Sequence, residues 1–281
     1  MRFTDTFLMS KRSFFLIFSL PFFLLSSCQE TFPQSETPLP LESVEFSDSP
    51  TPLPVYPDEW DVSDVDLSDI DEGRKLIALT FDDAPSNRME SILSVFAEFN
   101  DDNPDCKASA TVFYNGIRFD EQTPHLLASA LALGFELGNH GYSHSDLTTL
   151  SQEEIQKEIE ETDKLLSLAD KKETHLFRAP FGKTDERVKS LVPAPLINWT
   201  IDTLDWTGIS EEAITETVLT GCFSGAIILM HDGYPQTINA LKRLLPALKE
   251  KGYQVVSVSK LIKAHRCVFY RGKEYVRARK R

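Results

Sequence analysis

The 281 residues suffice for one sizeable domain with appendages, and a content of 41% hydrophobic and 26% charged residues excludes a fibrous or wholly disordered chain. The net charge of −14 is concentrated: residues 29–72 hold thirteen Asp and Glu and no Lys or Arg, so the acidity describes a tether and not the surface of a folded domain. Apart from Cys28, the cysteines Cys106, Cys222 and Cys267 are odd in number and show no CxxC spacing, so neither a thiolate metal site nor a full disulfide framework is indicated, though one disulfide has room.

At the N-terminus, Lys11 and Arg12 precede an apolar run over residues 13–25 that ends in Ser26, Ser27 and Cys28. A basic start, a short apolar core and small residues at the cut describe a secretory signal over residues 1–27. The run is shorter than the roughly 20 residues that span a bilayer. Its Leu-Ser-Ser-Cys ending resembles a bacterial lipobox, which implies that Cys28 is the lipid-modified first residue of a mature, extracytoplasmic, membrane-anchored chain. An ordinary signal peptide and an uncleaved anchor are the alternatives. Residues 28–72 read as an acidic, Pro-rich, disordered linker. At about 3.1 Å per residue it would carry the domain on the order of 100 Å from the membrane.

Residues 73–265 alternate strand and helix patterns. Strands are predicted at 76–81, 110–114, 135–137, 176–178, 196–201, 226–229 and 254–257. Between them, one helix places Ile92, Leu93, Phe96 and Phe99 on one face, and another covers 123–133 and stops at Gly134. Ser151 to Glu154 form a capping box opening a helix faced by Ile155, Ile159, Thr162 and Leu166. Further helices are expected at 185–191, 210–219 and 237–251. Such units form a parallel sheet, open or closed into a barrel, with reactive groups beyond the C-terminal strand ends. Residues 266–281 carry seven Lys or Arg against one Glu; they read as a solvated basic tail and not as a nucleic-acid site.

Five polar clusters follow predicted strands. Asp82 and Asp83, in TFDDAP at a strand end, cannot both point the same way, so one can bind a cation while the other handles protons. His140 and His144, in HGYSH, are spaced to meet one metal from a helix or a tight loop, and Gly141 favours the loop. Two His and one Asp leave coordination positions open for water and substrate. Arg178 in RAPFG is suited to clamping a carboxylate. Asp202, Asp205, Trp199 and Trp206 make a charged and aromatic wall, and Trp faces stack on sugar rings. His231, in LMHD, could serve as a general acid near neutral pH.

These clusters, in this order, resemble the TFDDGP, HxxxH, RxPYG, DxxDW and LxH patterns of the polysaccharide deacetylases, the carbohydrate esterase group built on a NodB-homology domain. The resemblance implies an α/β fold, a distorted (β/α) barrel often of seven strands, preceded here by the linker. It implies a divalent metal, usually zinc, held by Asp83, His140 and His144, with Asp82 as general base and His231 as acid for the leaving amine. Arg178 would position Asp82, and Asp202 would orient His231. Phe181, through its backbone N–H, Trp206 and Leu229 would serve the oxyanion and the substrate. The implied reaction removes N-acetyl groups from a polysaccharide such as peptidoglycan, an exopolysaccharide or a chitin-like polymer. An O-acetyl esterase and an inactive carbohydrate-binding lipoprotein are the alternatives. Two positions depart from the pattern. Ala84 replaces Gly and would be strained if φ there were positive, and Phe181 replaces Tyr.

Overall fold

The structure, a computed structural model, describes residues 58–279. The signal segment, Cys28, the linker up to residue 57 and the last two residues lie outside the described residues.

The run KLIALTF has no polar face, and that is what a central parallel strand buried on both sides requires. It forms β1 (Lys75–Ala84), buried from Leu76 to Asp82. Around it lie β2 (Thr111–Tyr114), β3 (Glu136–Asn139), β5 (Ile201–Asp202) and β6 (Ile227–His231), in the parallel order β3-β2-β1-β6-β5. β7 (Tyr253–Val255) pairs with the first three residues of β1. The far wall is irregular. Phe177 bridges Asn139 to Leu196 in β4 (Leu196–Ile197), β4 pairs with β8 (Glu274–Tyr275), and Arg277 bridges Ala226 just ahead of β6. The result is the expected distorted (β/α) barrel. The predicted strand at 196–201 is broken into β4 and β5, and the one at 176–178 contributes only the bridges of Phe177.

Helices α1 (Met89–Asp102), α2 (Thr123–Ala132), α3 (Gln152–Asp170), α4 (Glu186–Leu191), α5 (Glu211–Gly221), α6 (Pro235–Glu250) and α7 (Val258–Ala264) complete the domain. In α1, Ile92, Leu93 and Phe96 are buried, and Phe96 meets Phe81 and Phe135 edge-on at 6.2 and 4.8 Å. The capping box of Ser151 and Glu154 opens α3, which buries Ile155, Ile159, Thr162 and Leu166 as its periodicity requires. Gly134, at φ 75°, ends the α2 segment.

Two boundaries differ from the sequence reading. Residues 58–72, assigned to the linker, pack on the barrel: Trp60, Val62 and Ile70 lie against the cluster of Leu261, Ile262 and Phe269. Trp60 N–H donates to the Phe269 carbonyl (2.8 Å), and Asp71 N–H donates to Gln254 (2.9 Å). Lys260 pairs with Asp69, and Lys263 donates to the Ser63 and Val65 carbonyls. Segment-wide composition hides this, because a few apolar residues and two facing lysines order a stretch whose average is that of a tether. Residues 266–279, read as a solvated tail, supply β8, a buried Phe269 stacked 3.7 Å from Tyr275, and a buried Ala278. No helix among the described residues is long and apolar enough to cross a membrane. Cys106, Cys222 and Cys267 are free thiols.

Candidate metal centre and catalytic cleft

Parallel strands deliver their C-terminal ends to one side of the barrel, and there the five clusters meet. A cleft of about 370 Å³ is lined by Asp82, Asp83, His140, His144, Asp202 and His231, together with Phe181, Gly182, Trp199, Trp206, Leu229 and Tyr234. A larger groove of about 520 Å³ beside α3 shares no residue with it and gathers no comparable cluster.

The register of β1 against β6 sets Asp82 beside His231. The pairing with β2 then slips between Phe81 and Ala84, and Asp83 takes φ 67°. An irregularity of this kind re-aims side chains. Here it overturns the expectation that neighbouring carboxylates must diverge: Asp82 Oδ2 and Asp83 Oδ1 lie 3.6 and 3.9 Å from the same atom, His140 Nε2. The positive φ falls on Asp83, a residue type that tolerates it, and Ala84 therefore escapes the strain anticipated for it.

HGYSH is a tight loop, with Gly141 at φ 75° and His144 at φ 61°. Its backbone is held from three sides. Asn115 Nδ2 donates to the His140 carbonyl (2.7 Å), and Asn139 Oδ1 accepts from Gly141 N–H (2.8 Å). Glu158 on α3 accepts from the Tyr142 and Ser143 N–H groups (both 2.8 Å) and from the Ser143 hydroxyl (2.6 Å). The buried His140 has Nδ1 2.6 Å from the Arg178 carbonyl. A carbonyl can only accept, so Nδ1 carries the hydrogen and neutral His140 turns a lone pair on Nε2 toward Asp83. Burial, opposed by Asp82 and Asp83, lowers the His140 pKa and favours that neutral form.

A divalent metal fits these residues. The ligand atoms of Asp83, His140 and His144 all lie within 4.8 Å of one another, and Asp83 Oδ1 is buried without a hydrogen-bond partner. His144 Nε2 lies 3.2 Å from this oxygen, and a buried carboxylate oxygen that no hydrogen bond satisfies suits a cation shared with that nitrogen. One oxygen and two imidazole nitrogens form the open donor set of a catalytic centre.

Arg178 is wholly buried between the Phe113 and Trp199 rings, at 4.2 and 5.6 Å. Its Nη1 donates to Asp82 Oδ1 (2.7 Å) and Thr80 Oγ1 (2.8 Å), and its Nε donates to the Ile197 carbonyl (2.7 Å). Burial pushes the Asp82 carboxyl up, but Arg178, then His140 and His231, outweigh it and hold Asp82 below its ordinary range. One Asp82 oxygen is thus occupied and the other faces the metal ligands.

On the opposite wall, the assignment of Asp202 is corrected. The carboxylate on His231 Nδ1 is that of Asp205, at 2.8 Å. Asp205 is completely buried and also accepts from His231 N–H, the Thr237 hydroxyl and Trp206 N–H. Asp202 lines the cleft and accepts from Leu204 N–H. The register of β5 places Asp202 beside Leu229, two residues short of His231, and a turn with Leu204 at φ 54° swings Asp205 underneath. Burial lowers the His231 pKa, but the Asp205 hydrogen bond, with Asp82 and Asp83 nearby, raises it on balance. Phe181, at φ 61° and 59% exposed, stands edge-on to His144 with ring centres 4.6 Å apart. Trp206 is 53% exposed at the rim, and Leu229 is buried in the wall. Sequence reasoning missed Asn115, Asn139, Glu158 and Tyr234. Asp205, expected only as part of the charged and aromatic wall, is the residue that holds His231.

The family profile described as Polysaccharide deacetylase matches residues 69–194. A peptidoglycan-N-acetylglucosamine deacetylase of Bacillus cereus is 32% identical over 204 residues, covering 69% of this chain and 92% of that protein. This chain belongs to the polysaccharide deacetylase family. The peptidoglycan-N-acetylglucosamine deacetylase PgdA of Listeria monocytogenes is 33% identical over 188 residues, or 66% of this chain, and the chain spans only 39% of that relative's length. Among solved structures, the peptidoglycan deacetylase PdaC from Bacillus subtilis matches with a TM-score of 0.64 and 31% identity, over 70% of this chain and 94% of that one. Asp82, Asp83, His140, His144, Arg178 and His231 stand at the matching positions of the family patterns. The departures at Ala84 and Phe181 remove none of them.

Proposed function

We propose that the protein is a metal-dependent hydrolase that removes N-acetyl groups from N-acetylhexosamine units of a polysaccharide, with zinc as its metal. The observation that carries this reading is one cleft holding Asp83, His140 and His144 between the Arg178-bound Asp82 and the Asp205-bound His231. Bound by the three ligands, a divalent cation supplies Lewis acidity that acidifies water and polarises a carbonyl.

The chain's own groups do the rest. Asp82 Oδ2, left free by the Arg178 contact at Oδ1, takes a proton from water entering the cleft. The Phe181 backbone N–H serves the developing oxyanion. His231 delivers a proton from Nε2 to the departing amine while Asp205 holds Nδ1–H and stabilises the charged ring. Leu229 supplies an apolar wall for the acetyl methyl, and the exposed Trp206 face suits a pyranose ring.

The peptidoglycan relatives support a cell-wall polymer as substrate. Together with the predicted signal and Cys28, they support an extracytoplasmic lipoprotein of the cell envelope. The test is acetate release from N-acetylglucosamine oligomers and from peptidoglycan, before and after stripping with chelator and restoring zinc. Release should vanish and return. Folded, zinc-loaded protein that releases no acetate from N- or O-acetylated polymers would overturn the reading in favour of a binding-only lipoprotein.

A further inference from the structure

Outside the cleft, a histidine is buried between two carboxylates. His175, 3% exposed, has Nδ1 2.8 Å from Asp163 Oδ1 and Nε2 3.1 and 3.2 Å from the two oxygens of Asp170. Buried ionic clusters are seldom a net source of stability, since apolar residues of equal volume fill such space as well or better. Their placement therefore calls for another account.

The contacts run toward the metal ligands. Asp163 Oδ1 also accepts from Asn139 Nδ2 (2.9 Å), and the Ile159 carbonyl accepts from the same nitrogen (2.9 Å). With its amide nitrogen committed to two acceptors on α3, Asn139 must present its oxygen the other way. There it receives Gly141 N–H at 2.8 Å. Gly141 opens the turn between His140 and His144, and His144 holds a positive φ that a non-glycine residue keeps only with support from its surroundings. Glu158, one helical turn from Thr162 and Asp163, holds the other half of the loop.

We infer that the His175–Asp163 pair is a positioning element for the metal centre, acting through the Asn139 amide on the turn that carries His140 and His144. Asp163 and His175 are positioning residues: neither lines the cleft. The inference rests on the metal-site reading of Asp83, His140 and His144. Asp170, on the opposite edge of the ring, serves as the internal control because it supports His175 without touching Asn139.

The readout is zinc affinity, measured by competition with a chromogenic chelator, alongside unfolding of the metal-free protein. Loss of a direct outer partner of a metal ligand weakens metal binding by about 10–100-fold; Asp163 acts one contact further out, through Asn139, so Asp163→Ala should fall at the low end of that range, about tenfold. Asp163→Asn retains an oxygen that can accept from both Asn139 and His175, and it should recover most of the affinity. His175→Phe keeps the ring volume and should weaken zinc about tenfold, and it covers the case in which Asp163→Ala fails to fold. Asp170→Asn should lower metal-free stability and leave zinc affinity unchanged. Wild-type zinc affinity in folded Asp163→Ala or His175→Phe would overturn the proposal and make the cluster purely structural. Failure of the wild-type protein to take up zinc would instead remove the metal-site reading, and this proposal with it.

Discussion

The sharpest consequence of the cleft geometry concerns two aspartates three residues apart. In Asp205→Asn, one arm of the new amide must be NH2, yet both carboxylate oxygens of Asp205 now accept hydrogen bonds. Oδ1 takes His231 Nδ1–H and Trp206 N–H, and Oδ2 takes His231 N–H and the Thr237 hydroxyl. Either orientation of the amide sets its N–H against a backbone N–H. Stability should fall by about 1–3 kcal/mol, the cost of a buried donor without a partner. The larger effect is chemical. The carboxylate that favours the protonated His231 ring is gone, and the acid's contribution, about 10²–10⁴-fold in rate, is forfeited, equivalent to about 3–5 kcal/mol of barrier. Asp202→Asn touches no contact to His231 and should lower kcat far less than Asp205→Asn does. The assay is acetate release at saturating substrate and zinc, with folding checked by denaturant titration. Near-wild-type turnover in Asp205→Asn, or a comparable loss in Asp202→Asn, would refute the assignment of Asp205 as the partner of the acid.

Two further outcomes concern stability. Contacts with Asp163 and Asp170 outweigh burial and push the His175 pKa up to about 9, from an ordinary 6.5. A raised folded pKa means that the stabilisation is complete below pH 6.5 and is lost as pH rises through about 9. The shift corresponds to at most about 3 kcal/mol, and the net is smaller because burial leaves Asp163 above its usual range, a cost that the lowered Asp170 offsets in part. Urea unfolding at pH 6.5 and 9.5 should show a loss in the wild type that His175→Gln lacks; equal slopes would rule this out. Separately, Trp60→Ala should lower unfolding free energy by about 2 kcal/mol, less than the full cost for a buried Trp because Trp60 is only partly covered. An unchanged denaturation midpoint would mean that residues 58–72 do not brace the barrel.

The motifs were legible because their meaning is local. A run such as KLIALTF must be buried on both faces, the residues that end it must emerge at the barrel mouth, and Asp82, Asp83, His140, His144, Arg178 and His231 all follow such strands. Helix α3 was equally plain from its capping box and its apolar spacing. What local pattern could not decide was which of two aspartates reaches His231. That depends on the strand register beside Leu229 and the left-handed turn at Leu204. Nor could it reveal that a slip in β1 pairing turns both Asp82 and Asp83 into the cleft. The supporting residues were invisible for a different reason: Asn115 just past β2, Asn139 at the end of β3, and Glu158 and Asp163 on α3 are ordinary polar residues, and their roles exist only where other segments bring hydrogen-bonding groups to them. The same holds for the ends of the domain, where Trp60 and Phe269 lie in stretches whose charge suggests solvent. By itself, the sequence determined the elements and the chemical groups they carry, because those follow from spacing and residue type. Tertiary structure alone decided their partners, because a hydrogen bond or a buried contact is a property of two segments and not of one.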